Sequence, residues 1–228
     1  MGIPNNLCRL AACIAALAGH AGQLPAEPLT CDNALIKVQA ESDALAQRIC
    51  RIADRSLAIQ ADCNVPLNRP VEIAMRDSLT ANCVGLYHCG EDRIEVLTPS
   101  AMSDLRDSTG VFSVLPDDAY FESVIAHELV HAAYDIVPCP FDACLATSEY
   151  LAYALQLRGL PDDLRSRFEE VSGLDRRVAR DEINAMFLMM APNKFAAKAW
   201  THFSQRPDPC AYAGQIMDGS IYFDFEHP

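Results

Sequence analysis

Residues 126–135 read Ala-His-Glu-Leu-Val-His-Ala-Ala-Tyr-Asp. His127 and His131 stand four apart, with Glu128 directly after the first. On a helix, residues at i and i+4 lie one above the other, so two imidazoles can meet one cation. Zinc favours such nitrogen donors in a tetrahedral shell. Glu128 falls about 100° around the helix from His127, where it flanks the metal and can take a proton from a metal-activated water. The chemistry expected of these residues is hydrolysis.

A catalytic zinc needs a third protein ligand and an open fourth position. Glu149 is the candidate. If one helix ends near Ile136 and a second folds back antiparallel after the turn at Val137–Phe141, His131 and Glu149 come nearly level. In this reading Asp142 caps the second helix, and Cys139 and Cys144 pin the turn. His88, His202 and Asp142 are rival ligands. For the group that stabilises an oxyanion, Tyr153 follows Glu149 by one helical turn, with His202 and Tyr134 as alternatives.

The elements that must position these residues follow from pattern and punctuation. Ala34–Gln39 reads as a short strand, and residues 42–61 as a helix with Leu45, Ile49, Ile52 and Leu57 close to one face. Val71–Met75 alternates as a strand does. Val84–His88 and Arg93–Leu97 flank Gly90-Glu91-Asp92 as a hairpin. Helices are expected over 117–136, 142–158, 161–171, 175–190 and 193–204, punctuated by Pro116, Pro138, Pro161, Pro192 and Pro207. The helix over 117–136 should carry one core side, with Ile125, Leu129, Ala132 and Ile136, and one polar stripe holding His127, Glu128 and His131. Tyr150, Trp200 and the methionines of Met186–Met190 are expected in the core, and Ile221, Phe223 and Phe225 suggest a late strand. The fold class is α+β, a small mixed or antiparallel sheet followed by a mainly helical half.

The chain has 228 residues, half of them hydrophobic, enough for one domain with a real core. Its first 21 residues resemble a secretory signal, with Arg9, the short apolar run Leu10–Leu17, and small residues for cleavage near Ala18 or Ala21. The mature part, 22–228, would then be one domain, with a sheet and active-site helix over 22–137 and a helical lobe over 138–228. Of ten cysteines, the signal would remove Cys8 and Cys13. The even remainder (Cys31, Cys50, Cys63, Cys83, Cys89, Cys139, Cys144 and Cys210) allows up to four disulfides in a secreted or periplasmic protein. A net charge of −13 disfavours nucleic acid and anionic lipid as partners, so no membrane association is expected after cleavage.

His127-Glu128-Leu129-Val130-His131 resembles the HExxH motif of zincin metallopeptidases. The longer string His127 to Asp135 (H-E-L-x-H-A-x-x-D) is similar to the active-site helix of thermolysin-type enzymes. Glu149 lies 18 positions after the second histidine, which resembles the gluzincin arrangement. The resemblance implies a zincin-like domain with His127, His131 and Glu149 as zinc ligands, Glu128 as general base and a peptide or protein as substrate. It also implies that an upstream sheet edge, for which Arg93–Leu97 suits, binds the substrate as an added strand. The chain departs from the family at Tyr153, which stands where an acid that orients a ligand histidine is expected. The G-A-M-E-N motif of exopeptidases is absent, which points to an endopeptidase. The alternative is a zinc-binding or interaction protein on the same scaffold without catalysis.

Overall fold

A computed structural model of the chain describes residues 27–80 and 83–224. The expected signal lies outside them. The fold is α+β, with one five-stranded mixed sheet in the N-terminal half and eight α-helices among the described residues. The strands are β1 (Leu29–Thr30), β2 (Ile36–Gln39), β3 (Val71–Arg76), β4 (Gly85–His88) and β5 (Arg93–Leu97), in the order β1-β2-β3-β5-β4. β2, β3 and β5 run parallel, and β1 and β4 pair antiparallel at the two edges. The hairpin is present as expected, its turn carried by Gly90 and Asp92 at positive φ. However, β5 is an interior strand, and β4 is the edge. The expectation that Arg93–Leu97 offers a free edge is therefore wrong, because β5 spends its hydrogen bonds on β3 and β4.

Helix α1 (Asp43–Asp62), capped by the Ser42 hydroxyl accepting from Leu45 N, crosses between the parallel strands β2 and β3. A short helix unforeseen in the sequence, α2 (Pro99–Leu105), follows the sheet. Helix α3 (Asp117–Tyr134) then runs between α1 and the β4–β5 side of the sheet, and α4 (Leu145–Arg158) packs against it. α3 is therefore covered nearly all round. Ile125, Leu129 and Ala132 are fully buried as expected, yet His127 and Glu128 are buried too, while Ile136, beyond the helix end, is half exposed. The polar stripe faces the protein interior and not solvent.

The helical half completes the fold with α5 (Asp162–Ser172), α6 (Ala185–Met190), α7 (Pro192–Ser204) and α8 (Pro209–Met217). The expected helix over 175–190 is broken. Only a 3-10 turn at Arg180–Glu182 and the six residues of α6 are helical, and Asn184 caps α6 by accepting from Phe187 N. α8 was not foreseen in the sequence. Residues 221–224 form no strand, and Phe225 lies outside the described residues. Tyr150 and Trp200 are core residues as expected.

Among the described residues, three disulfides lock these layers. Cys31–Cys50 ties the end of β1 to α1, Cys63–Cys210 ties the end of α1 to α8, and Cys139–Cys144 closes the turn between α3 and α4. Cys83 and Cys89 are unpaired. They sit at opposite ends of β4, about 20 Å apart along an extended strand, so they cannot bond to each other while β4 is formed.

Candidate metal centre

The α3–α4 turn brings His127, His131 and Glu149 together. His127 Nε2 lies 3.0 Å from His131 Nε2 and 3.4 Å from Glu149 Oε2, and His131 Nε2 lies 3.5 Å from Glu149 Oε1. Metal–ligand bonds of about 2.0–2.1 Å at tetrahedral angles put neighbouring ligand atoms about 3.3 Å apart. The two ring nitrogens lie near that spacing, each faces its own oxygen of the Glu149 carboxylate, and one ligand atom from each of the three residues lies within 4.8 Å of the others. Among the described residues, this His/Glu triad is the group that could hold a metal ion.

The orientation of the His127 ring follows from its neighbours. Ser123 Oγ donates to Tyr120 O at 2.8 Å, so it accepts from Gln156 Nε2 at 3.0 Å. The Gln156 amide is thereby oriented with Oε1 toward His127 Nδ1, 3.0 Å away. An amide oxygen only accepts, so His127 Nδ1 is the donor to Gln156 and its Nε2 faces His131 and Glu149. Two ring nitrogens and a carboxylate converging at this range favour a cation between them. His131 Nδ1 lies 2.7 Å from Ser148 Oγ, so each ring is held from behind. Gln156 and Ser148 were not singled out in the sequence. They occupy the orienting role for which the sequence offered no acid.

Burial pushes the Glu149 carboxyl upward, but hydrogen bonds and charge from both histidines outweigh it and hold it well below the usual carboxylate range. Burial drives the Glu128 carboxyl the other way, up to about 7, with His127 pulling it down and Glu149 pushing it up. Glu128 is 6% exposed and reaches across to β4, where the Tyr87 backbone N–H is directed at it. A Cβ on Gly85 would lie 2.5 Å from Glu128 Oε1, so only glycine leaves room for this carboxylate against the edge strand.

The edge itself is anchored. Asp135, at the C-terminus of α3, accepts from Tyr87 Oη at 2.9 Å, from Gly90 N at 3.1 Å and from Arg69. Arg69 also pairs with Asp92 at 2.9 Å. The hairpin turn is thus tied to the end of the helix that carries both histidines. Asp135 acts here and does not touch them.

Tyr153 stands beside the triad, its ring 4.6 Å from that of His127 and edge-on to it. Phe112 and Phe195 flank it at 6.1 and 6.2 Å. Burial, then the charges of Glu149 and Glu128, raise the phenol far above its ordinary value, so it stays a hydrogen-bond donor. The rival residues lie elsewhere. His88 pairs with Glu95 at 2.9 Å. His202 is bonded through Nδ1 to Tyr150 at 2.8 Å, in an aromatic cluster with Tyr212 and Phe223. Tyr134 lies near Tyr222 and Asp224.

Asp142 does not cap α4, which begins at Leu145. The cap comes from the far end of the chain. Asp224 accepts from Ala146 N at 2.8 Å, Thr147 N at 3.0 Å and Thr147 Oγ1 at 2.6 Å. Those residues immediately precede Ser148 and Glu149, so a C-terminal carboxylate fixes the first turn of the helix that supplies the third candidate ligand.

The chain belongs to a family of unknown function, DUF6639, whose model matches residues 36–226. No curated protein and no solved structure matches it.

Proposed function

We propose that the protein is an exported zinc-dependent peptidase, most simply an endopeptidase, acting on peptide or protein substrates. The observation that carries this reading is the convergence of His127 Nε2, His131 Nε2 and Glu149 at 3.0–3.5 Å. Two nitrogens and a carboxylate converging on one point suit zinc, and three protein residues as ligands leave a further position for chemistry. A zinc ion held there supplies Lewis-acid chemistry, lowering the pKa of a water and polarising a carbonyl.

The chain's own residues do the rest. Gln156 and Ser148 hold the two imidazoles in orientation. Glu128 takes a proton from the attacking water and returns it to the leaving amine. The Tyr153 phenol donates to the oxygen on which charge develops. Among the described residues, no strand pairs with β4 on the side away from β5, and there an extended peptide adds as a further strand. Export is supported by the three disulfides, which persist in oxidising compartments. No helix among the described residues is long and apolar enough to cross a membrane.

The test is Glu128→Gln in the zinc-loaded protein, assayed on unfolded casein. Zinc should be retained and hydrolysis reduced by a factor on the order of 10²–10⁴. Equal hydrolysis by the variant would defeat the peptidase reading. Zinc retained by a wild-type chain that cleaves no peptide would leave a non-catalytic metal protein.

A further inference from the structure

Helix α6 reads Ala-Met-Phe-Leu-Met-Met. Three of the chain's seven methionines fall within its last five residues. They were expected in the core, but Met186, Met189 and Met190 are 57%, 71% and 78% exposed. The helix instead buries Leu188. At about 100° per residue, Met186, Met189 and Met190 share one face within roughly 100°, and Leu188 points the opposite way. Met75 and Met102, by contrast, are buried at 8% and 1%. The exposed face of this helix is therefore made of thioethers, and its buried position is not.

We propose that Met186, Met189 and Met190 form a soft-metal site that takes Cu(I). Residues at i, i+3 and i+4 are neighbours on a helix surface. Each methionine has three rotatable bonds, so three sulfurs can close on one ion. Thioether sulfur selects Cu(I) over the harder divalent ions. It needs no deprotonation and, unlike a thiolate, forms no disulfide, which fits a chain whose described cysteines are mostly paired. The acidic chain, at −13, favours a cation. An apolar docking face does not require sulfur, since leucine would serve as well. The site is separate from the triad on α3 and α4 and does not rest on the peptidase reading.

The experiment is anaerobic competition for Cu(I) against bicinchoninate. It uses the zinc-loaded full chain carrying Cys8→Ser, Cys13→Ser, Cys83→Ser and Cys89→Ser, so that thiols outside the three disulfides take no copper. The chain should withdraw one equivalent of Cu(I), and X-ray absorption at the copper edge should show sulfur neighbours. Adding Met186→Leu, Met189→Leu and Met190→Leu keeps the apolar face and should abolish that equivalent. Circular dichroism checks that the fold is retained. If the triad holds no zinc, its histidines add copper equally to both proteins and the difference between them stands. Equal copper in both proteins, or copper with only nitrogen and oxygen neighbours, would overturn the proposal.

Discussion

Gly85→Ala isolates the contact between the edge strand and Glu128. The added Cβ would lie 2.5 Å from Glu128 Oε1 and 2.9 Å from both Glu128 Cγ and Val124 Cγ1. Comfortable contacts to carbon begin near about 3.5 Å, so the carboxylate must withdraw by about 1 Å. Gly85 is extended and not left-handed, so the effect is steric and not backbone strain. Overpacking of this kind costs about 1–3 kcal/mol, which leaves a folded protein. Misplacing a catalytic group by about 1 Å costs on the order of 10² in rate. The variant should therefore keep its zinc, melt a few degrees lower, and lose about a hundredfold in kcat on a fluorogenic peptide. In a Glu128→Gln background the same change should cost almost nothing further, because it acts through the missing carboxylate. Wild-type turnover in Gly85→Ala, or a full additional loss in the double variant, would refute this reasoning.

Gln156→Leu removes the acceptor that orients the His127 ring, and zinc affinity should fall about 10–100-fold by chelator competition, with the fold retained. His202 is 1% exposed, and burial first, then Arg206, Arg180 and Arg177, lower its pKa to about 4. The folded state therefore prefers the neutral ring. Its contribution is complete above the unfolded value near pH 6.5 and is lost as pH falls toward 4. By pH 5 the loss is about 2 kcal/mol. Urea unfolding should show this slope in wild type and a shallower one in His202→Phe.

The triad was legible because local periodicity places His127 and His131, and a short turn between two helices limits where Glu149 can go. Its support was not legible. Gln156 follows Glu149 by seven residues, two helical turns, and nothing in its type distinguishes it from a solvated glutamine. Gly85 is explained only by the carboxylate beside it, and Asp224 reaches α4 across 78 residues of sequence. The hairpin could be read from its turn, but which of its strands is the edge depends on β3 pairing with β5, a long-range choice. The methionines of α6 were misplaced because apolar character alone predicts burial. The long helix expected over 175–190 is broken because side chains take over backbone and charge partners inside it: Glu182 accepts from the Ala179 N–H and from Arg176, and Asn184 caps a new helix at Phe187 N.

The central claim is that His127, His131 and Glu149 hold one catalytic-type zinc. Zinc content of the purified, oxidised chain, measured by elemental analysis beside His131→Ala and Glu149→Ala, tests it most directly. One zinc per chain is expected in wild type, and its loss in both variants. A folded wild-type chain that takes no zinc when supplied with it, or a Glu149→Ala variant that keeps its zinc at wild-type affinity, would contradict it.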